Sequence, residues 1–252
     1  MSVTYQVHNE IAWLTINRPE ARNSLNKAVR DGLFAGVRRF NDDDSAKVLV
    51  LTGAGDKAFC AGGDLKEMSE SQLTIPPVDF VPQFGRNITV DKPTIAAVNG
   101  VAFAGGFLLA QTCDLCVAAT TAQFGITEVK VGRGSPWAAP LPLMVPRRVA
   151  TELALTGEPL SAERAYQIGF VNQLAEPAGL REAAQRLAER IAANAPLSVA
   201  AGKKTAVLTA EYPLSEAFDR AENIWAPVYL SQDAQEGMSA FKDKRQPVWK
   251  GV

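Results

Sequence analysis

The sequence predicts an α/β fold with a helical C-terminal region. Three observations predict it: the chain opens with two strand-like segments, buried strands then alternate with turns and helices, and helical spacing takes over after Val149. A chain of 252 residues with 47% hydrophobic content can bury one large core. We therefore predict an α/β core over residues 1–195 and a helical extension over residues 196–252.

The first half of the chain begins with strands. Thr4–His8 and Ile11–Ile16 flank the polar pair Asn9-Glu10, a pattern typical of a hairpin with a two-residue turn. Apolar residues then recur at helical spacing from Leu25 to Phe40, which predicts a helix that ends at the Asn-Asp run after it. Buried strands are predicted at Lys47–Thr52, Thr94–Val98 and Leu115–Ala118.

Helices dominate the second half of the chain. The apolar spacing predicts them at Thr151–Leu155, Ser161–Ile168, Leu180–Ala193, Leu197–Leu208 and Leu214–Phe241. The last of these stretches carries aromatic side chains that need another surface to cover them, namely Trp225, Tyr229 and Phe241. We therefore expect the protein to form oligomers through this region.

Charge and composition limit the classes of partner. A net charge of −1 and a pI near 6.0 provide no basic field for nucleic acid or an anionic membrane. The stretch Pro93–Cys113 carries no charge, but Asn99 and Gly105 interrupt it, which favours a buried strand, a turn and a buried helix over a membrane span. The first residues show no secretory pattern, so a cytoplasmic protein is expected.

Histidine and cysteine chemistry is largely excluded. His8 is the only histidine and lies in the first strand beside a turn, which argues against Ser-His-Asp, Cys-His and histidine-metal sites. Cys113 and Cys116 have C-x-x-C spacing, but no second pair and no nearby histidine completes a zinc site. These two cysteines and Cys60 are predicted to pack in the core in a reducing compartment, and no metal is expected.

Two segments of the chain share one plan. Val48–Asp64 and Thr94–Leu109 each run through a strand, a turn, Ala-Phe and small residues to Ala-Gly-Gly and a helix. We call Ala61–Gly63 the first glycine turn and Ala104–Gly106 the second glycine turn. Glycines before a helix let a ligand approach the unpaired first N–H groups. Two such turns meeting at one carbonyl would stabilise the negative oxygen of a thioester enolate, by about 3 to 4 kcal/mol for each donor.

Two other interpretations of these glycines are open. The first is close packing of a helix on a strand, which needs no ligand. The second is a dinucleotide fingerprint, because Gly53–Ala58 formally matches G-x-G-x-x-A after a strand. That match precedes Phe59 instead of opening a helix, and the first glycine turn still separates it from the next helix. The enolate interpretation is therefore preferred.

Ordered motifs along most of the chain resemble the crotonase (enoyl-CoA hydratase/isomerase) superfamily. They are Asn17–Leu25, Phe59–Leu65, Lys92–Gly100, Ala104–Asp114, Ala122–Glu128 and Phe241–Arg245. The resemblance implies a crotonase-like spiral of repeated ββα units, with a C-terminal helical oligomerisation region that builds homotrimers or dimers of trimers. It also implies an acyl-CoA thioester as substrate, so that coenzyme A is part of the substrate and no separate cofactor is needed.

The resemblance further implies which residues hold this substrate. It assigns the oxyanion-hole donors to the backbone N–H groups of Ala61 and Gly105, in agreement with the argument from the glycine turns. It implies CoA contacts for Arg22, Ser24, Ala61, Gly62, Gly63, Asp64 and Leu65, with Lys244 near a phosphate of its own or a neighbouring subunit. A few local cations of this kind suffice where the net charge does not.

Enolate chemistry also needs a base near the α-carbon, and carboxylates are the remaining candidates. By the resemblance, Glu128 matches the second of two catalytic glutamates in family hydratases, whereas the plain alternative is a solvated loop carboxylate. A partly desolvated glutamate there would have a raised pKa and could exchange protons near neutrality. The position of the first family glutamate is held by Leu108.

Leu108 leaves three functions to weigh. The usual hydration in this family uses two carboxylates to hold and activate one water, whereas a 3,2-double-bond shift needs only one base. We therefore predict first an enoyl-CoA isomerase in which Glu128 is the only base. The alternative is an enoyl-CoA hydratase whose water is held by Glu128 and main-chain groups. A further alternative is a non-catalytic acyl-CoA-binding homologue that has lost one catalytic residue.

The loop after Glu128 departs from the family pattern. Gly132–Trp137 replaces the glycine-rich loop of family hydratases. Trp137 and its neighbouring prolines indicate a stiff apolar pocket wall, which would favour a bulky or cyclic acyl group. The alternative is that Trp137 only packs in the core. Arg133 could instead pair with Glu128 and lower its pKa, which would weaken the base. The residues assigned to the acyl pocket are Leu108, Thr127, Gly132 and Trp137.

Overall fold

The computed structural model describes residues 1–252, which form ten strands and eleven helices. The strands are β1 (Val3–His8), β2 (Ile11–Ile16), β3 (Val48–Gly53), β4 (Ala58–Cys60), β5 (Thr94–Val98), β6 (Val101–Phe103), β7 (Leu115–Ala119), β8 (Gln123–Gly125), β9 (Leu160–Ser161) and β10 (Gln173–Ala175). The helices are α1 (Lys27–Asp42), α2 (Leu65–Glu70), α3 (Gly105–Thr112), α4 (Leu141–Met144), α5 (Arg147–Thr156), α6 (Ala162–Gln167), α7 (Leu180–Ala192), α8 (Pro196–Ala206), α9 (Leu208–Glu211), α10 (Leu214–Tyr229) and α11 (Gln232–Asp243).

The larger of two sheets has the order β1-β2-β3-β5-β7-β10. Strands β1 and β2 form the predicted antiparallel hairpin, and Asn9 and Glu10 make its turn with φ of 48° and 63°. Positive φ at both central residues is the geometry that a two-residue hairpin turn requires. The other neighbours in this sheet pair in parallel. Strands β3 and β5 are buried along their whole length, as their continuous apolar runs predict.

The smaller sheet has the order β4-β6-β8-β9 and explains the repeated ββα plan. Strands β3 and β4 precede α2, β5 and β6 precede α3, and β7 and β8 precede a 3₁₀ turn at Thr127–Val131. In each repeat the first strand joins the larger sheet and the second joins the smaller one. The predicted α/β fold is thus confirmed. Strands β4, β6 and β8 have three residues each, too few for a periodic pattern to identify them.

Helix α1 covers the larger sheet as its apolar spacing predicts. The side chain of Asn26 accepts a hydrogen bond from the N–H of Val29 and so caps the start of the helix. The apolar face of α1 is buried through Val29, Leu33, Val37 and Phe40. Helix α7 packs against β2, β3, β5 and β7 of the same sheet, so the main core lies between the sheet and these two helices.

The uncharged stretch Pro93–Cys113 forms β5, β6 and α3, which is the strand, turn and helix interpretation of the sequence. None of the helices combines the length and apolar character needed to cross a membrane. Cys60, Cys113 and Cys116 are buried and free of disulfides, as expected for core residues. The Gly53–Ala58 segment leads into strand β4, so it does not open a helix as a dinucleotide fingerprint would.

The C-terminal residues are helical, but the predicted helix at Leu214–Phe241 is two helices. The break lies between α10 and α11, where the Ser231 side chain accepts a hydrogen bond from the N–H of Ala234 and caps α11. Trp225 is half-buried and donates to Thr205 within the chain. Tyr229 and Phe241 are 74% and 88% exposed. The short strands β9 and β10 also lie in this second half, where helices with little strand between them were expected. The division at residue 195 stays a prediction.

Candidate active site

The two glycine turns lie in contact with each other. Strands β4 and β6 pair in parallel, so the turns leave the smaller sheet at the same edge. A Cβ on Gly62 would lie 2.8 Å from the Ala104 Cβ and 3.6 Å from the Gly105 nitrogen. The turns therefore converge as the sequence predicts, and glycine at position 62 is what allows this approach.

The second glycine turn is strained and opens a buried helix. Ala104 has φ of 50° and ψ of −120°, a conformation that a residue with a side chain rarely adopts. Its N–H donates to the Gly125 carbonyl at 2.9 Å, which holds the turn against β8. Gly105 is the first residue of α3, so its N–H has no acceptor within the helix. A Cβ on Gly106 would lie 2.0 Å from the Cys60 carbonyl oxygen, and glycine is required there.

The first glycine turn runs beside the loop that connects β2 to α1. Gly62 has φ of 99° and its carbonyl accepts from the Leu25 N–H at 2.8 Å. The Ala61 N–H donates to the Arg22 carbonyl at 3.0 Å. The predicted oxyanion donor at Ala61 is therefore already hydrogen-bonded within the chain, because residues of the connecting loop lie alongside the turn like a short parallel strand.

Asp64 ends the first glycine turn in a polar cluster. Its side chain accepts from the N–H groups of Lys66 and Glu67 and caps α2. Arg18 donates to Asp64 at 2.5 Å and to the Ser24 hydroxyl at 3.1 Å. The hydrogen bond from Arg18, followed by the bond from the Glu67 N–H, holds the pKa of Asp64 below its usual value. Arg18 joins two of the predicted CoA-binding residues, and its sequence motif had suggested no role for it.

The other predicted CoA-binding residues lie at the surface. Arg22 is exposed and lines a cavity of about 200 Å³ beside Asn23 and Lys57. Leu65 is 64% exposed at the start of α2. Lys244 follows the last residue of α11 in the left-handed conformation with φ of 52° and forms no ion pair itself, although its neighbours Asp243 and Arg245 pair with each other. No group of three or more His, Cys, Asp and Glu side chains is arranged to hold a metal ion.

Glu128 is not a solvated loop carboxylate. It lies in the 3₁₀ turn after β8, and its Oε1 accepts a hydrogen bond from the indole Nε1 of Trp137 at 2.8 Å. Its Oε2 is buried and has no hydrogen-bond partner in the protein. Burial raises the pKa of Glu128, and the hydrogen bond from Trp137 opposes that rise. One oxygen is thus fixed, and the other is free to take a proton.

Arg133 does not pair with Glu128, so the suggestion that it lowers the pKa of this carboxyl is wrong. The guanidinium Nη1 donates to the Leu73 carbonyl at 2.9 Å, which turns the charge toward the segment after α2. The two residues are linked only through the main chain, where the Arg133 N–H donates to the Glu128 carbonyl at 3.0 Å. Glu128 therefore keeps the raised pKa that its burial causes.

Trp137 links Glu128 to helix α3. The tryptophan is 9% exposed, and its ring lies edge-on to Phe107 with the centroids 5.8 Å apart. Gln111 is buried, and its Nε2 donates to the Trp137 carbonyl at 3.0 Å. Trp137 is therefore more than a packing residue. The sequence interpretation missed Gln111, although a lone amide inside an uncharged apolar stretch was a signal that could have identified it.

The remaining residues assigned to the acyl pocket differ in burial. Leu108 is 6% exposed on α3, three residues before Gln111 and on the same helix face. Thr127 is half-buried at the start of the 3₁₀ turn. Gly132 ends that turn with φ of 64° and is exposed, with open space where a side chain would begin.

Comparisons with known proteins show the family to which the chain belongs. A family model described as enoyl-CoA hydratase/isomerase matches residues 6–252. The chain is 40% identical over 257 aligned positions to an (E)-benzylidenesuccinyl-CoA hydratase of Thauera aromatica, covering 100% of both proteins. It is 38% identical to a carnitinyl-CoA dehydratase of Salmonella heidelberg, covering 94% of each. A crystal structure of an enoyl-CoA hydratase from Mycobacterium marinum superposes with a TM-score of 0.89 at 42% identity, over 100% of this chain and 99% of that one.

Proposed function

The chain belongs to the enoyl-CoA hydratase/isomerase (crotonase) family of acyl-CoA enzymes, and we propose that it adds water to a 2-enoyl-CoA or removes water in the reverse direction. The observation that carries the proposal is the carboxyl of Glu128, which has one oxygen held by Trp137 and the other buried and unpaired. The two relatives at 40% and 38% identity are a hydratase and a dehydratase, which supports this reaction over the isomerisation that we predicted first.

In the proposed reaction the glycine turns hold the thioester oxygen. The Gly105 N–H has no acceptor within α3 and is available at once. The Ala61 N–H donates to the Arg22 carbonyl. When the thioester binds, this N–H would have to donate to both oxygens or leave the Arg22 carbonyl for the thioester oxygen. Each donor aimed at a developing negative oxygen is worth about 3 to 4 kcal/mol in the transition state.

One carboxylate is sufficient for the proton balance of hydration. The water oxygen bonds to C3 while its proton passes to Glu128 Oε2, and the electron pair of the C2=C3 bond moves to give an enolate on the thioester. Glu128 then gives the same proton to C2, and the thioester carbonyl forms again. A raised pKa, such as burial causes here, suits a group that takes and returns a proton near neutrality.

Isomerisation stays the second candidate, because Leu108 favours it. A buried leucine cannot hold or activate water, whereas a shift of the double bond from C3 to C2 requires only that Glu128 move a proton from C2 to C4. A non-catalytic binding protein is less well supported, since it would need neither the strained Ala104 nor a carboxyl with one buried, unpaired oxygen.

The acyl group and the quaternary structure belong to the same proposal. The relative at 40% identity is an (E)-benzylidenesuccinyl-CoA hydratase, which supports a bulky or cyclic acyl group over a short linear one. Trp137 itself packs in a buried aromatic cluster with Phe107, Phe124 and Phe170, whose ring centroids lie 5.1 to 5.8 Å apart. The large exposed apolar side chains of α10 and α11 support a homotrimer or a dimer of trimers; they are Leu214, Phe218, Tyr229, Met238 and Phe241.

Replacing Glu128 with glutamine tests the proposal. Hydration of a 2-enoyl-CoA and isomerisation of a 3-enoyl-CoA are measured side by side in the wild type and in Glu128→Gln, with crotonyl-CoA and cinnamoyl-CoA as hydration probes. We expect hydration to be the faster wild-type reaction and to fall by about 100- to 10,000-fold in the variant, with CoA-ester binding retained. Glu163→Gln, at an exposed glutamate of α6, is the matched control. A wild type that isomerises but does not hydrate would contradict the proposal.

A further inference from the structure

Three buried side-chain atoms of the protein have no hydrogen-bond partner. They are Gln111 Oε1, Glu128 Oε2 and Arg133 Nη2. Buried polar atoms are nearly always paired, and leaving one unpaired costs about 1 to 3 kcal/mol. All three belong to residues that are hydrogen-bonded to Trp137 or to Glu128. The Arg133 guanidinium turns away toward Leu73, whereas Gln111 and Glu128 both bond to Trp137. Two unpaired acceptors held by one tryptophan indicate that a ligand completes their hydrogen bonds.

The orientation of the Gln111 amide is set by its partner. The Trp137 carbonyl can only accept a hydrogen bond, so the atom 3.0 Å from it is Nε2 and the unpaired atom is the oxygen. Glu128 is oriented by the same tryptophan, because the indole N–H binds Oε1 and leaves Oε2 unpaired. Trp137 thus holds two side chains by one atom each and leaves each with a single free acceptor.

Gln111 lies on the side of α3 where a second carboxylate would be expected. It follows Leu108 by three residues and Phe107 by four, and residues at these spacings share one face of a helix. The Phe107 ring contacts Trp137, so this face looks toward the tryptophan that orients Glu128. Gln111 is 6% exposed, which excludes bulk water as the ordinary partner of its oxygen.

From this arrangement we propose that Gln111 Oε1 and Glu128 Oε2 together hold the water that adds to C3, so that Gln111 does the work of the carboxylate that Leu108 replaces. The inference rests on the proposed hydration. Two free acceptors match the two O–H groups of one water, whose lone pairs are then directed away from both side chains and toward the substrate. An amide oxygen orients the water but cannot take its proton, so Glu128 alone is the base and later the acid.

The test separates hydration from enolisation. Gln111→Met keeps the side-chain length and removes both the acceptor Oε1 and the Nε2 donor that bonds the Trp137 carbonyl. Two reactions are measured in the wild type and in the variant. The first is hydration of crotonyl-CoA or cinnamoyl-CoA, whichever the wild type hydrates faster. The second is deuterium exchange at C2 of the saturated esters butanoyl-CoA and 3-phenylpropanoyl-CoA in deuterium oxide. Exchange needs Glu128 and the glycine turns but no added water. We expect hydration to fall about 10- to 100-fold while exchange and its pH profile change less than about threefold.

Each other outcome overturns one identifiable claim. Equal loss of both reactions would make Gln111 a support for Trp137 only, and no loss of hydration would remove its role altogether. A wild type without hydration would refute the proposed function itself. Gln185→Met is the matched control, because Gln185 on α7 also bonds a tryptophan, Trp13 of β2, which belongs to a different part of the fold from α3. If Gln111→Met does not fold, a wild-type crystal structure decides: a water bonded to both oxygens supports the inference, and its absence there overturns it.

Discussion

The two glycine turns share one sequence plan but lie in opposite environments. The first continues into a short, largely exposed helix, its Ala61 N–H is bonded to a neighbouring loop, and its Asp64 pairs with Arg18. The second continues into the buried helix α3 through the strained Ala104. The same Ala-Gly-Gly motif therefore lies in a polar surface setting on one side and in a rigid apolar setting on the other.

The carboxyl groups of Asp64 and Glu128 also lie in opposite environments, and their pKa values are shifted in opposite directions. Asp64 keeps a pKa below its usual value because Arg18 stabilises its charge, whereas burial raises the pKa of Glu128. A carboxylate fixed by a cation is suited to structure and to binding, and it is a poor proton carrier. A carboxyl in an apolar setting with one free oxygen is suited to proton transfer. The contrast teaches that one sequence motif can lie beside carboxyls whose pKa values are shifted in opposite directions, because the surroundings of each carboxyl differ.

Adding a methyl group at Gly106 should break the second turn with the largest effect. The new Cβ would lie 2.0 Å from the Cys60 carbonyl oxygen, and a backbone atom cannot move aside cheaply. We expect Gly106→Ala to lose about 3 kcal/mol or more of stability, seen as a fall in Tm of roughly 6 °C or more. Gly105→Ala is the control, since its Cβ would meet the end of the Leu25 side chain at 2.7 Å and backbone only at 3.9 Å, from the Gly62 Cα. Equal falls in Tm would refute the packing argument.

A methyl group at Gly62 should separate the two turns with an intermediate effect. Its φ of 99° disfavours alanine, and the Cβ would lie 2.8 Å from that of Ala104. We expect Gly62→Ala to lose about 2 kcal/mol of stability and at least about tenfold in kcat, because the N–H donors no longer converge. Gly169→Ala isolates the backbone strain, since Gly169 has φ of 87° and open space around it. A kcat unchanged in Gly62→Ala would show that the contact between the turns is not needed for catalysis.

Removing the indole N–H of Trp137 should have the smallest effect on activity. It tests whether the pKa of Glu128 is set by burial and opposed by this hydrogen bond. Trp137→Phe keeps the burial of Glu128 but removes the hydrogen bond that lowers its pKa, so this pKa should rise further. Because the base must be ionised, kcat/KM for hydration falls as pH drops through that pKa, and its acid limb should move to higher pH in the variant. Trp13→Phe, which removes an N–H bonded to Gln185, should leave the limb in place. If the acid limb of the pH profile of kcat/KM stays in place or moves to lower pH in Trp137→Phe, the hydrogen bond from Trp137 does not hold Glu128 as described.

Local patterns were sufficient for elements whose signals lie within a few neighbouring residues. The polar pair at Asn9 and Glu10 predicted a turn that the structure forms, and the apolar spacing predicted α1 to within three residues at its start. The three-residue strands of the smaller sheet carry no comparable signal, and the break between α10 and α11 lies inside a continuous apolar pattern. Those features depend on what the chain packs against, which a local window does not contain.

By itself, the sequence determined the α/β fold and the two glycine turns, because motif spacing and strand-helix alternation are properties of the chain. Its resemblance to the crotonase superfamily identified Glu128 as the candidate base. Only the tertiary structure decided that Ala61 donates to Arg22, that Arg133 turns away from Glu128, and that Trp137 and Gln111 surround the base. These contacts join residues that are up to sixty positions apart, from Leu73 to Arg133. The physical reason is that hydrogen-bond pairing and desolvation depend on distance in space, and folding alone sets that distance for separated residues.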